Sequence, residues 1–217
     1  MPKTTTRKPK AGSKSSTGRQ RRKSAKTPKA AADDGSDKFD PVAAQEEYEA
    51  RKESQLKSIK STDADLLKEM LYQMILGRVF ERKCAEVYRI GKIGGFCHLY
   101  IGQEAISVGS QMALRETDYV ITSYRDHVQA MVQGIEPEAV MAELYGKAGG
   151  NVGGKGGSMH MFSKEKNFFG GHGIVGGQIG IGTGMAYAQK YRGDDDVTLC
   201  FFGEAAVNQG IFHESLN

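Results

Sequence analysis

The sequence predicts an α/β fold, a mostly parallel sheet flanked by helices. Three features carry that prediction. Apolar residues recur at helical spacing between Leu66 and Tyr88. Short β-branched and aromatic runs occupy residues 119–123 and 197–202. Helical segments alternate with those runs, as they do where strands lie parallel.

The first helix of the body follows Thr62 or Asp63, either of which can cap it. Leu66, Leu67, Met70, Leu71, Met74 and Ile75 form its apolar stripe, which Val79, Phe80, Ala85, Val87 and Tyr88 continue until Gly91. A tight glycine-rich stretch over residues 91–95 leads into residues 96–101. Residues 102–114 read as another helix, small on one face at Ala105, Ser107 and Gly109. Residues 119–123 form a strand ending at Tyr124 and Arg125, and Pro137 suits the first turn of a helix over residues 136–145. Residues 176–191 make a helix almost wholly of small residues, which lets another backbone approach closely. Asp194, Asp195 and Asp196 form a solvated turn before the strand of residues 197–202.

That last strand has the most informative exit. Phe201 and Phe202 give a buried apolar run, Gly203 permits a sharp turn, and Glu204 follows at the strand's carboxyl end. Open parallel sheets place their ligands there. A second segment, residues 147–184, holds half of the chain's 28 glycines. Together they predict a phosphate-bearing cofactor held by backbone groups and one metal.

Composition bounds the rest. The 217 residues suit one domain, or one domain plus a tail. The net charge of +4 belongs to that tail. Residues 1–30 contain eleven Lys or Arg and no acid, so the body from Ala31 onward is near −7. Residues 1–38 contain no Leu, Ile, Val or aromatic residue and are expected to be a disordered basic tail. Residues 39–62 form a linker or helical lead-in, and residues 63–217 the folded part. The tail lacks both the apolar core of a secretory signal and the amphipathic face of a transit peptide. Bacterial cytoplasm is therefore favoured over the mitochondrial matrix. A polybasic arm can touch nucleic acid, but a solvated arm or a tether for a partner protein is the weightier reading. No stretch approaches the ~18 apolar residues of a membrane span. Cys84, Cys97 and Cys200 form no CxxC pair and read as reduced, buried thiols.

Several motifs fail on inspection. Residues 149–156 nearly match the phosphate loop of nucleoside triphosphatases, but Gly156 replaces the required hydroxyl and no clear strand precedes them. Gly180, Gly182 and Gly184 approximate a dinucleotide fingerprint with its third glycine one residue early. There is no G-x-S-x-G elbow, no HExxH and no Cys/His metal cluster. Among the five histidines, His98 leaves a glycine-flexed turn between apolar neighbours, where a lone histidine is more often structural. His127 follows the Tyr124–Arg125 pair closely, but Arg125 is more informative. A guanidinium beside a tyrosine hydroxyl at a strand end suits bidentate phosphate binding, or an ordinary salt bridge. His160, His172 and His213 have weak individual claims.

Four ordered segments carry a family resemblance. GFCHLYIGQEA begins at Gly95, YRDH at Tyr124, GGKGGSMHMF at Gly153 and GIVG at Gly173. They resemble the α subunit of the pyruvate dehydrogenase component of the 2-oxo acid dehydrogenase complexes, over about residues 63–217. Branched-chain enzymes differ in the GGSMHM segment. Acetoin enzymes usually carry Ile-Ala where this chain has Met161-Phe162, so the pattern favours pyruvate.

The resemblance implies a thiamine-diphosphate-binding fold and oxidative decarboxylation of pyruvate, with the acetyl group passed to a lipoyl group on the acyltransferase component. It also implies thiamine diphosphate and Mg²⁺ at the interface with a β subunit, in an assembly of two chains of each kind. Tyr124 and Arg125 should bind the diphosphate, and Gly173 and Val175 should offer backbone groups to the aminopyrimidine. Glu204, Ala205 and Ala206 complete the cofactor site, Glu204 as metal ligand, and His98 should lie beside the reacting substrate.

The chain departs from the family at two places. The family motif opens Gly-Asp-Gly, whereas Gly203-Glu204-Ala205-Ala206 stands here. Glu204 is one methylene longer than the family aspartate, and Mg²⁺ tolerates little error around ~2.0–2.1 Å. An alanine at a position needing positive φ would add on the order of 1 kcal/mol. The closing paired asparagines do not appear before Asn217. A fold incomplete at its C-terminus is therefore expected, one that exposes apolar surface and is inactive alone. Sister 2-oxo acid or acetoin dehydrogenases, and a non-catalytic fragment or pseudo-enzyme, are the alternatives.

Overall fold

The computed structural model describes residues 40–217. The predicted basic tail of residues 1–38 lies outside them. The described residues divide into two units between Ser54 and Gln55. Helix α1 (Pro41–Ser61) has no buried side chain and starts on the Asp40 carboxylate, which accepts the Val42 N–H at 2.9 Å. Glu47 pairs with Arg51 one helical turn on.

In the second unit, helix α2 (Ala64–Arg89) is capped as predicted, with the Asp63 carboxylate accepting the Leu66 N–H at 2.9 Å. Only part of its apolar stripe enters the core. Phe80, Cys84 and Val87 are buried, whereas Leu71, Ile75 and Val79 lie on an exposed face. Gly77 marks the closest approach to the neighbouring helix α4 (His127–Val132): a Cβ there would sit 3.1 Å from the Val128 methyls.

Strands β1 (Tyr119–Ser123), β2 (Phe168–His172) and β3 (Thr198–Cys200) form a parallel sheet in the order β2-β1-β3. The predicted α/β class with a parallel sheet is what the chain adopts. Strand β1 sits at the centre and alternates as a strand covered on both faces must. Val120 joins the core with α2, α4 and α5 (Pro137–Leu144), while Ile121 faces α6 (Gly177–Arg192). The small residues of α6 have the predicted use. A Cβ at Gly182 would meet Ile121 at 3.1 Å and the Cys200 sulfur at 3.2 Å, so glycine lets the helix lie close on β1 and β3.

The boundaries differ in instructive ways. The helix predicted over residues 102–114 is shorter, α3 (Glu104–Gln111), because Gly102 turns with φ 97° before it. Strand β3 covers three residues of the predicted six, although the Phe201 N–H still reaches Ile121 O at 2.9 Å. Strand β2 escaped prediction because its FFGGH sequence hides a period of two. Gly170, at φ 88°, supplies the irregularity where the register shifts between Val120 and Thr122. The chain closes with a 3-10 helix (Glu204–Asn208) and helix α7 (Gly210–Leu216). No helix among the described residues is long and apolar enough to cross a membrane.

Candidate cofactor site

In a parallel sheet ordered 2-1-3, the chain leaves the central strand in both directions, opening a crevice at the carboxyl ends. All three strand ends converge there on one cavity of about 510 Å³. Strand β1 delivers Ser123, Tyr124 and Arg125, and the turn after β2 delivers Val175 and Gly176. The chain beyond β3 delivers residues 201–206, including Glu204, Ala205 and Ala206. Gln129 and Gln178 complete the polar wall.

The electrostatics suit an anion with a counter-ion. Helix α6 begins at Gly176, in the left-handed region at φ 83°, with no side chain capping it. Its positive dipole end therefore opens on the cavity. Arg125 donates one N–H to Leu99 O at 2.6 Å, which braces the guanidinium beside the Tyr124 ring. Two side-chain oxygens on the wall, Gln129 Oε1 and Gln178 Oε1, are buried and have no partner. A buried amide oxygen without a partner is costly, so a bound polar group would relieve both. Glu204 is exposed and is the one carboxylate on the wall. Mg²⁺ commonly takes one or two carboxylates plus substrate phosphates, so a lone glutamate is a sufficient protein contribution.

Residues 72–217 match the family described as dehydrogenase E1 component. The chain belongs to that family. A pyruvate dehydrogenase E1 component subunit alpha from Rhizobium meliloti is 59% identical over 145 residues, covering 67% of this chain and 42% of that protein. The equivalent subunit from Rickettsia prowazekii is 49% identical over 172 residues, 79% of this chain and 49% of its own length. That from Zymomonas mobilis is 51% identical over 156 residues, 71% of this chain and 44% of its own. The chain thus spans less than half the length of these relatives.

Six of the eight residues expected to form the E1 site line the cavity: Tyr124, Arg125, Val175, Glu204, Ala205 and Ala206. The other two, His98 and Gly173, are not part of its lining. The His98 ring packs at a tilt against Tyr124, with centroids 4.6 Å apart, and stacks on Phe96 at 6.1 Å. Burial first, then the charges of Arg125 and His127, hold its pKa below the ordinary histidine value. Gly173 lies in the turn between β2 and α6, where a Cβ would meet the His160 ring at 3.3 Å. Ala205 carries no left-handed strain, since Asn167 is the one non-glycine residue with positive φ among those described. Gln129 and Gln178 were missed. The signal for Gln178 was a single long polar side chain in the first turn of an otherwise small-residue helix.

The glycine-rich segment divides in two. Val175 and Gly176 line the cavity, but residues 149–157 serve the protein's own carboxylate. Glu143, fully buried on α5, accepts the N–H groups of Val152 and Gly154 at 2.9 Å each. Its other oxygen accepts those of Gly156 at 2.6 Å and Gly157 at 3.1 Å. Burial would raise the Glu143 pKa, and these four donors more than offset it, leaving the group below the usual carboxylate range. The nest is real, but its anion is internal. The cysteine expectation also needs correction. Cys84 is buried, whereas Cys97 and Cys200 are only partly so, each lying at the edge of a packed layer.

Proposed function

We propose that this chain is the catalytic part of an α subunit of the pyruvate dehydrogenase component. The whole protein would decarboxylate pyruvate oxidatively and pass the acetyl group to a lipoyl group on an acyltransferase partner. The observation that carries the reading is the convergence of Arg125, the open α6 N-terminus and Glu204 on one cavity. Thiamine diphosphate, when bound, supplies a nucleophilic carbon and an electron sink that make loss of CO₂ from a 2-oxo acid possible. This chain's residues would hold it: Arg125 and Tyr124 at the diphosphate, with Ala205 and Ala206 beside them. Val175 would offer its backbone to the aminopyrimidine from a turn whose course Gly173 sets. Glu204 would ligate Mg²⁺. His98, neutral at physiological pH, can donate or accept a hydrogen bond to the substrate if the Tyr124 ring shifts aside.

A β subunit, in an assembly of two chains of each kind, is the proposed partner. The exposed apolar residues Leu71, Ile75 and Val79 on α2, and Ile181 and Tyr187 on α6, support such a partner. The reading is tested by calorimetry on the complete chain assembled with a matching β subunit. Saturable, Mg²⁺-dependent thiamine diphosphate binding is expected, with pyruvate-dependent reduction of a lipoyl acceptor. Arg125→Ala should weaken cofactor binding about a hundred-fold, in line with loss of a charge-assisted pair. Absence of binding in the wild-type assembly would sink the proposal and favour a non-catalytic subunit, a reading that the lone Glu204 on the wall also permits.

A further inference from the structure

One buried chain of polar groups has no part in that account. His127, the first residue of α4, is fully buried, and its Nδ1 meets Glu81 Oε1 of α2 at 2.9 Å. Its Nε2 meets Ser158 Oγ at 2.8 Å, and the same oxygen accepts the backbone N–H of His98 at 2.9 Å. Ser158 and Glu81 are buried as well. Burial opposes a charged imidazole, but the Glu81 hydrogen bond and charge more than offset it, so the His127 pKa is raised. As imidazolium, His127 donates from both nitrogens, and Ser158 Oγ then accepts two N–H groups.

A buried ion pair is a poor way to gain stability, because apolar residues of similar volume often do as well. This one ends on a single backbone amide beside the cavity. That amide belongs to His98, which follows a flexible turn where Gly95 adopts φ 73°. The His98 ring in turn packs at a tilt against Tyr124, a residue of the cavity wall. We infer that Glu81, His127 and Ser158 are positioning residues, a relay from α2 and α4 that fixes the backbone of His98 and the placement of its ring. The inference rests on the reading of His98 as a residue beside the reacting substrate.

The same distances would suit a nucleophile, base and orienting acid, but hydrolysis does not fit. The Ser158 oxygen is buried and already accepts two donors. The nearby N–H groups of Gly156 and Gly157, which could have formed an oxyanion hole, are engaged by Glu143. A metal fits no better. Glu81, Cys84 and His127 lie within 4.8 Å of one another, but both nitrogens of His127 are already engaged.

The test is Ser158→Ala in the complete α/β assembly. A displaced catalytic group can lose on the order of a hundred-fold, so loosening its backbone should lower kcat about ten-fold. The dissociation constant for thiamine diphosphate should stay within about two-fold of wild type. In a His98→Ala background the same substitution should cost nothing further, because the relay acts through His98. Ser158→Thr, which keeps the oxygen, should recover most of the activity. Equal losses in both backgrounds, or a loss that tracks cofactor affinity, would overturn the inference. A second readout is independent of turnover: in ¹³C-histidine-labelled assembly, Ser158→Ala and the isosteric Glu81→Gln should shift the His98 resonance, identified by its loss in His98→Ala. An unmoved His98 resonance rejects the relay even if pyruvate is not the substrate, and an inactive wild-type assembly with a moved resonance rejects the pyruvate reading alone.

Discussion

Two glycine-rich regions of this chain are used in different ways. Residues 149–157 wrap Glu143, a fully buried carboxylate that receives four donors and needs nothing from outside. The strand-end region around Gly176 and Gly203 opens on a cavity with an uncapped helix end, a braced arginine and an exposed Glu204. Both are rich in glycine, but only the first encloses a carboxylate of the chain itself. The lesson is that a run of glycines announces an anion without saying whose anion it is.

The largest expected effect separates the two carboxylates. Glu143→Ala would leave four partly buried N–H groups without an acceptor, each costing ~1 kcal/mol or more. The second unit should lose about 5 kcal/mol of stability or fail to fold, as read from urea unfolding. Glu204→Ala removes an exposed side chain and should change stability by less than about 0.5 kcal/mol. Its consequence belongs to Mg²⁺-dependent binding instead. If Glu143→Ala folds normally, the loop has some other support and the contrast fails.

The glycines should divide in the same way. At Gly154, φ is +77° and a Cβ would approach the Gly146 carbonyl carbon to 2.5 Å, so Gly154→Ala should cost about 3 kcal/mol. At Gly203, φ is −77° and nothing lies within 4 Å of the Cβ position. Gly203→Ala should leave the unfolding midpoint within about 0.5 kcal/mol of wild type, any effect appearing only when a ligand is bound. Comparable losses at both positions would mean that the strand-end glycine is structural too.

The sequence revealed the open region better than the closed one, for physical reasons. Tyr119–Ser123 is a local signal, since β-branched and aromatic residues make a strand, but β3 ends at Cys200 and Gly203, extended at φ −77°, is not what stops it. Tyr124, Arg125 and Glu204 follow from where parallel strands end, whereas Val175, Ala205 and Ala206 were expected from the family resemblance alone. The Glu143 nest is a contact between residues 9 to 14 positions apart, and nothing at Glu143 itself distinguishes it from a solvated helix position. The Glu81–His127 pair spans 46 positions and is equally silent in one dimension. Strand β2 was hidden because glycines at 170 and 171 serve a register shift and a tight approach to Asp126, both properties of the sheet and not of the strand.

Asp126 tests where the boundary between the two regions lies. It follows Arg125 directly, yet it is fully buried, with Oδ2 accepting the Met161 N–H at 3.2 Å and Oδ1 unpartnered. Burial pushes its pKa up to about 7, despite the opposing charge of His127 and the Met161 donor. An unfolded aspartate titrates near ~3.9. Between about pH 4 and pH 7 the folded chain therefore keeps a proton that the unfolded chain has released. Stability from this group must fall as pH rises through that window and level off above it. Asp126→Asn has no proton to lose, so it should match wild type near pH 4 and exceed it at pH 8. Each ten-fold in proton affinity is worth about 1.4 kcal/mol, so a rise from ~3.9 to about 7, which already includes the attraction to His127, makes about 4 kcal/mol the expected difference. Urea midpoints measured for both proteins at pH 4, 6 and 8 decide it. Curves that stay parallel across that range would mean Asp126 is ionised throughout, and that the charged wall of the cavity extends one residue deeper than Arg125.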